Sequence, residues 1–246
     1  LAPLGFVLYF ALTDRNGAFT LENLRALSSY SGTFFMSVGF SLIATTVCLL
    51  VGYPLAYAMS KTQERTRGVL MVLLMLPMWI SLLIRTYSLM ALLDNGGIVS
   101  GFLVKLGFEK LTFIGTEGAV ILGMIYDFLP YMVLPIYTSI IKLDRRYVEA
   151  AADLGCNSVK TMFRVILPLT VPGIVSGVTM VFVPSISTFY ISQKLGGGSF
   201  DLIGDTIERQ FQNAVTYHTG AAISLVMMIL ILISLAVMNR FTDSQE

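Results

Sequence analysis

Apolar runs alternate with short polar intervals along the whole chain, and the lengths of the runs decide what they are. A helix rises 1.5 Å per residue, so about 20 consecutive apolar residues are needed to cross the hydrocarbon core of a bilayer. Residues 33–59, 69–93, 118–141, 165–187 and 218–239 all meet that length. The run at 1–12 does not, and since it opens without Met it is expected to be the remainder of a first span that begins upstream. The pattern therefore predicts an all-α, polytopic membrane protein with six transmembrane helices in a single domain, residues 1–246.

The intervals carry turn signals and two amphipathic stretches. Residues 13–32 read as an external loop, with a turn at Asn16-Gly17 and a short amphipathic piece around Leu21, Leu24 and Leu27. Lys61, Arg65 and Arg67 form a short basic loop, and Asn95-Gly96-Gly97 starts a second outer loop at 94–117. In the outer segment 188–217, Phe200, Ile203, Ile207, Phe211 and Ala214 recur at helical spacing while Asp201, Asp205, Glu208 and Arg209 point elsewhere. This predicts a helix on the outer surface with an acidic, solvated side. Every one of the eight prolines falls within or at the end of a span, and Pro54 is expected to bend the second one.

Composition agrees with this reading. Hydrophobic residues make up 55% and charged residues 13% of the 246, with a mean hydropathy of +0.78, whereas about a quarter of a soluble domain is charged. The net charge of +1 comes from basic residues scattered among loops, with no stripe that would suit nucleic acid. Cys48 lies in an apolar run and Cys156 in a polar loop, so both read as structural thiols rather than halves of a disulfide.

The polar stretch from Asp144 to Pro168 has a fold of its own. Asp144 can cap a helix, Ala150, Ala151 and Ala152 favour one, and Gly155 suits the left-handed residue that ends it. Asn157 and Ser158 offer a second cap, so the stretch reads as helix, tight turn, helix. Its small alanine face permits close approach, and Arg145, Arg146, Glu149 and Asp153 ring it with charge, which describes a docking surface. Asp153 stands at the helix C-terminus, where negative charge is disfavoured unless a cation answers it.

Glu149-Ala150-Ala151, Gly155, Val165 and Leu167-Pro168 are spaced as in the EAA loop of bacterial ABC importer permeases, and the stretch resembles that loop over about twenty positions. Only Val165 departs, conservatively, from the family's isoleucine. The resemblance implies a type I ABC importer permease in which the loop, about 142–168, is a cytoplasmic coupling helix seated in a cleft of an ATPase. It implies coupling roles for Glu149, Ala150, Ala151, Asp153 and Gly155. With this loop inside, the inner basic set is Lys61, Arg65, Arg67, Lys142, Arg145, Arg146, Lys160, Arg164 and Arg240. The outer set is Arg15, Arg25, Lys105, Lys110, Lys194 and Arg209, and the bias follows the positive-inside rule. Both termini are then expected in the cytoplasm of a bacterium, with the chain multi-pass in its inner membrane.

Arg85 and Asp127 are charges well inside spans, where each costs a few kcal/mol without a partner or water. They are expected either to line the translocation route as a gate pair or to satisfy each other as a lock between helices; Arg85 can also snorkel outward. Trp79, Tyr87, Tyr126, Tyr131, Phe189 and Tyr190 lie nearby in sequence. Aromatic faces with a carboxylate suit an organic cation, although an interfacial aromatic belt explains Tyr87 and Tyr190 equally well.

A narrower resemblance covers almost the whole chain. Leu76-Pro77-Met78-Trp79, Leu83 to Leu89, Leu129-Pro130, Leu134-Pro135-Ile136-Tyr137, Lys142-Leu143-Asp144 and the segment Leu202 to Phe211 are similar to the B-type permease subunits of spermidine/putrescine importers. That similarity implies polyamine uptake by alternating access. It also implies a second, C-type permease, two copies of a cytoplasmic ATPase, and an extracytoplasmic polyamine-binding protein.

Enzyme chemistry finds no support. The chain has no Walker motif, no Gly-x-Ser-x-Gly and no metal-ligand cluster, and Gly196-Gly197-Gly198 lacks the Lys-Ser or Lys-Thr of a phosphate loop. ATP and Mg are therefore expected on the partner ATPase, with no cofactor on this chain. His218 is expected to cap or anchor the last span. A permease for another small solute and an ion-driven carrier using Arg85 and Asp127 stand as alternative functions.

Overall fold

The computed structural model describes residues 2–14, 18–20, 22–105, 112–213 and 215–243. Asn16-Gly17, Arg15, Leu21, Lys110 and Ala214 lie outside the described residues, as do the side chains of Leu24 and Lys105. The helices run in the order α1 Ala2–Leu12, α2 Glu22–Arg25, α3 Ser31–Lys61, α4 Glu64–Trp79, α5 Leu82–Leu93, α6 Ile98–Lys105 and α7 Glu117–Ile141. They continue with α8 Arg145–Asp153, α9 Ser158–Thr161, α10 Leu167–Leu169, α11 Val171–Ser187, α12 Tyr190–Leu195, α13 Ile203–Gln212 and α14 Tyr217–Asp243. Among the described residues there is no strand, only an isolated bridge between Thr13 and Phe19.

Three helical stretches, Leu27–Lys61, Glu117–Ile141 and Tyr217–Met238, are long and apolar enough to cross a membrane alone, and two bent pairs bring the number to five. α1, with 11 residues, is the short sixth run. The third and fifth spans are each broken by a sharp bend. In the third, Glu64–Trp79 and Leu82–Phe102 meet at 98°. Pro77 has no N–H to continue the ladder there, and Ile80 and Ser81 are extended, with Ile80 N–H closing a tight turn onto Pro77 O at 3.1 Å.

In the fifth, Ser158–Leu169 and Val171–Ser187 meet at 66°. A π-helical turn at Met162–Ile166 precedes the bend, and Pro168 and Pro172 flank it. Thr170 stabilises the corner: it is fully buried, its hydroxyl donates to Ile166 O at 2.8 Å, and it lies 3.0 Å from the Tyr53 hydroxyl on α3. Pro54, by contrast, leaves α3 a single helix of 31 residues.

Burial identifies the central element. In α7, 56% of the spanning window is buried, against 33% for the α3 span and 28% for α14. α3 and α11 pack along α7, building a core from Phe40, Cys48, Met124, Met132, Ile136 and Val181. Gly173 and Gly177, one turn apart on α11, allow the backbones to approach. A Cβ at Gly177 would come within 3.0 Å of Met132 O, and one at Gly173 within 2.9 Å of Pro135 O. α1 and α14 pair beside this core around Ala11, Ala221 and Ala222. His218 Nδ1 lies 3.0 Å from Phe10 O, joining the two helices as an anchor.

α13 is the other departure. Its apolar side packs as expected, with Leu202 and Ile203 fully buried, but Asp205 is buried too and accepts from Leu202 N–H at 2.8 Å. A carboxylate in the first turn of a helix meets unsatisfied N–H groups, so Asp205 caps α13 from within and does not belong to a solvated acidic side. Burial raises its carboxyl above the ordinary range, opposed by hydrogen bonding from Ser192 and from the Leu202 backbone.

Candidate functional site

The inner elbow follows from local hydrogen bonding. Asp144 is extended and its Oδ1 accepts from Arg146 N–H at 3.0 Å, so α8 begins where its cap stands. At the other end Gly155 takes φ +77°. Cys156 N–H donates to Ala151 O and Gly155 N–H to Ala152 O, both at 2.9 Å, which is the paired closure of a Schellman motif. Asn157 Oδ1 then accepts from Lys160 N–H at 2.9 Å and starts α9. Helix, left-handed turn and second helix stand where the sequence puts them.

Side chains on this elbow divide by direction. Ala151 turns inward and is 5% exposed, while Glu149, Ala150 and Asp153 face out. Tyr147, Leu154, Val159 and Phe163 are also exposed, giving the charged elbow large apolar groups at its surface. Such groups on a polar elbow suit a protein contact. Behind α8, a cavity of about 430 Å³ is lined by Lys61, Arg67, Arg145, Val148 and Glu149, so three cations and the Glu149 carboxylate share its wall.

Arg85 on α5 and Asp127 on α7 come together inside the bundle. Arg85 Nη1 lies 3.2 Å from Asp127 Oδ1 and donates to Asp127 O at 3.2 Å, and the two side chains are 6% and 1% exposed. Thr86, not a site candidate from the sequence, is fully buried, and its hydroxyl lies within donating distance of Leu82 O at 2.9 Å and Asp127 Oδ2 at 3.4 Å. Its position next to Arg85 was the available signal. Arg85 points into the protein and does not snorkel outward. Arg85 Nε and Asp127 Oδ1 have no aligned hydrogen-bond partner among the described residues. Two charges are thus enclosed with their hydrogen-bonding capacity partly unused.

The aromatic candidates do not gather around this pair as one pocket. Trp79 is 82% exposed at the end of α4, and Tyr126 is 42% exposed on α7. Tyr131 packs edge-on to Phe128 at 6.3 Å. Tyr87 packs edge-on to Tyr190 at 5.9 Å, with Lys194 Nζ 5.3 Å from the Tyr87 ring centre. Lys194 was not a sequence candidate, although it lies one helical turn beyond Tyr190.

Comparison with known proteins gives the family of this bundle. The family model "Binding-protein-dependent transport system inner membrane component" matches residues 48–245. The chain belongs to this family. As a member it is a multi-pass inner-membrane transport component and not itself an enzyme. It is 38% identical over 98% of its length to the spermidine/putrescine transport system permease protein PotB of Haemophilus influenzae, covering 87% of that protein. It is 40% identical over 90% of its length to PotB of Escherichia coli K12, covering 82%. Among solved structures, a bacterial ABC transporter that imports the acidic polysaccharide alginate superposes with a TM-score of 0.72 at 18% identity, over 98% of this chain and 90% of that one. The MetNI methionine ABC transporter in an inward-facing conformation gives 0.62 at 15% identity, over 86% and 93%. The permease fold of the family is therefore the fold of this chain.

Proposed function

We propose that the chain is the B-type permease subunit of an ATP-driven importer of polyamines, working by alternating access. Its partners in this reading are a second permease, two copies of a cytoplasmic ATPase that bind ATP and Mg, and an extracytoplasmic polyamine-binding protein. The observation that carries the coupling half is the exposed, doubly capped elbow. Its helix ends are fixed by Asp144 and Gly155, so a push on α8 moves it as a rigid piece. The fifth span continues from the elbow and turns at Thr170, which offers a route from the inner face to the packed glycine side of α11. Glu149, Ala150, Ala151, Asp153 and Gly155 are the coupling residues of this proposal.

The substrate half rests on the relatives named for spermidine and putrescine transport. Trp79, Tyr87, Tyr126 and Tyr131 are the candidate aromatic groups for an organic cation, and Asp127 the candidate carboxylate. Because Asp127 is enclosed with Arg85, it meets substrate only after the pair parts, which makes the pair a gate in this reading. The test is uptake of labelled putrescine and spermidine by the complete importer in proteoliposomes. ATP-dependent uptake suppressed by either unlabelled amine is expected. Suppression by phosphate, sulfate or thiamine alone transfers the chain to another importer class, and vanadate-insensitive uptake driven by an ion gradient makes it a secondary carrier.

A further inference from the structure

We propose that Tyr87 and Tyr190 form a subsite for a primary alkylammonium group, and that Lys194 is a tethered competitor seated in it. The proposal rests on the polyamine reading and adds to it a named subsite and a built-in occupant. Two rings from separate elements, α5 and α12, meet edge to face with centres 5.9 Å apart and planes at 78°. Lys194 Nζ lies 5.3 Å from the Tyr87 centre and 5.7 Å from that of Tyr190. Both distances fall within the roughly 6 Å over which a ring quadrupole attracts a cation.

The chemistry of the occupant defines the ligand. A lysine side chain is a primary ammonium on a flexible methylene stem, and the end of a linear polyamine is the same group on the same kind of stem. Among the described residues no carboxylate pairs with Lys194. Asp201 pairs with Arg209, and Glu208 accepts from Gln193 and Gln212. The two tyrosines thus neighbour this ammonium without a salt bridge; Tyr87 is reachable at 47% exposed, and Tyr190 is half-buried.

The tether is a flexible stem. Lys194 lies four residues after Tyr190, so its stem runs back along one turn of α12. The helix itself is held, since Leu195 is fully buried and its carbonyl accepts from Gly115 N–H at 2.8 Å, so the part that moves is the side chain of Lys194. Withdrawal of Lys194 would free the place beside the two rings for an incoming ammonium.

Equilibrium binding of labelled spermidine to the purified permease–ATPase complex, without the binding protein, tests this directly. Lys194→Gln is expected to tighten binding by about two- to fivefold, the factor set by one cation–π contact at a half-exposed site. Tyr87→Leu is expected to weaken binding and to abolish the gain from Lys194→Gln, whereas Tyr87→Phe keeps the ring and the gain. Unchanged or weaker binding by Lys194→Gln, equal effects of Tyr87→Phe and Tyr87→Leu, or no saturable binding in any form each overturn the proposal. The polyamine reading is judged separately by uptake in the complete importer: uptake with no Lys194 effect removes the subsite alone, and absence of polyamine uptake removes both.

Discussion

The elbow at residues 144–157 and the Arg85–Asp127 pair are both polar interruptions of an apolar chain, and they are stabilised in opposite ways. The elbow is built from contacts within a few residues: Asp144 to Arg146, Cys156 to Ala151, Asn157 to Lys160. It sits at the surface, where water serves whatever the caps leave unsatisfied. The pair joins residues 42 positions apart, on different helices, with both side chains almost fully enclosed. There the protein itself must supply the partner, because an unpaired charge in that setting is far more costly than one in water. The elbow can therefore be altered at modest cost to stability and large cost to coupling, whereas breaking the pair is expected to cost stability heavily as well.

The largest effect is expected from Asp127→Ala. It leaves the Arg85 guanidinium buried without its countercharge, a loss of about 3–5 kcal/mol, seen as a lower unfolding midpoint of the detergent-solubilised complex. Removing both charges together, as Arg85→Met with Asp127→Leu, is expected to restore most of that stability. If the double variant is as unstable as the single, the two residues are not coupled and the contrast with the elbow fails.

Next comes Gly155→Val. A Cβ at Gly155 meets nothing within 4 Å, so the cost is conformational and not steric: φ +77° is disfavoured for a β-branched residue, by about 1–2 kcal/mol. ATP-driven uptake should be lost while membrane insertion, followed by fractionation, is preserved. Gly155→Asn, which tolerates the left-handed region, should retain much of the uptake. Equal loss in both would mean that the turn is not what matters.

Asp144→Ala removes one cap and is expected to cost α8 about 1 kcal/mol, read as faster hydrogen exchange of the Arg146 and Tyr147 amides with little change elsewhere. Thr86→Val is expected to have the smallest effect, about 0.5–1.5 kcal/mol, because the 3.4 Å contact with Asp127 is long and the Arg85 contact survives. An effect as large as that of Asp127→Ala would make Thr86 a full member of the buried site.

The spans were legible because each is a run of apolar residues whose length can be counted. Their shapes were less so. Pro54 leaves α3 continuous, whereas the break near Pro77 depends on the extended Ile80 and Ser81, and the bend at Thr170 on its contact with Tyr53 of another helix. Proline removes a backbone donor in every case, and the neighbours decide whether the helix turns there. Asp205 shows the same limit from the other side. Helical spacing gave the apolar face of α13, but the depth of its first turn depends on what covers it.

What the sequence alone determined is whatever is written within about one helical turn or one uninterrupted run: the spans, the caps at Asp144 and Asn157, the left-handed Gly155, and the elbow they define. What only the tertiary structure decided is which distant residues meet: Arg85 with Asp127 and Thr86, Lys194 over Tyr87 and Tyr190, and the glycines of α11 on the backbone of α7. The reason is physical. Backbone dihedrals and short-range hydrogen bonds are set by neighbours in the chain, whereas the burial of a charge or a ring depends on how helices pack, and packing sums weak contacts from the whole fold.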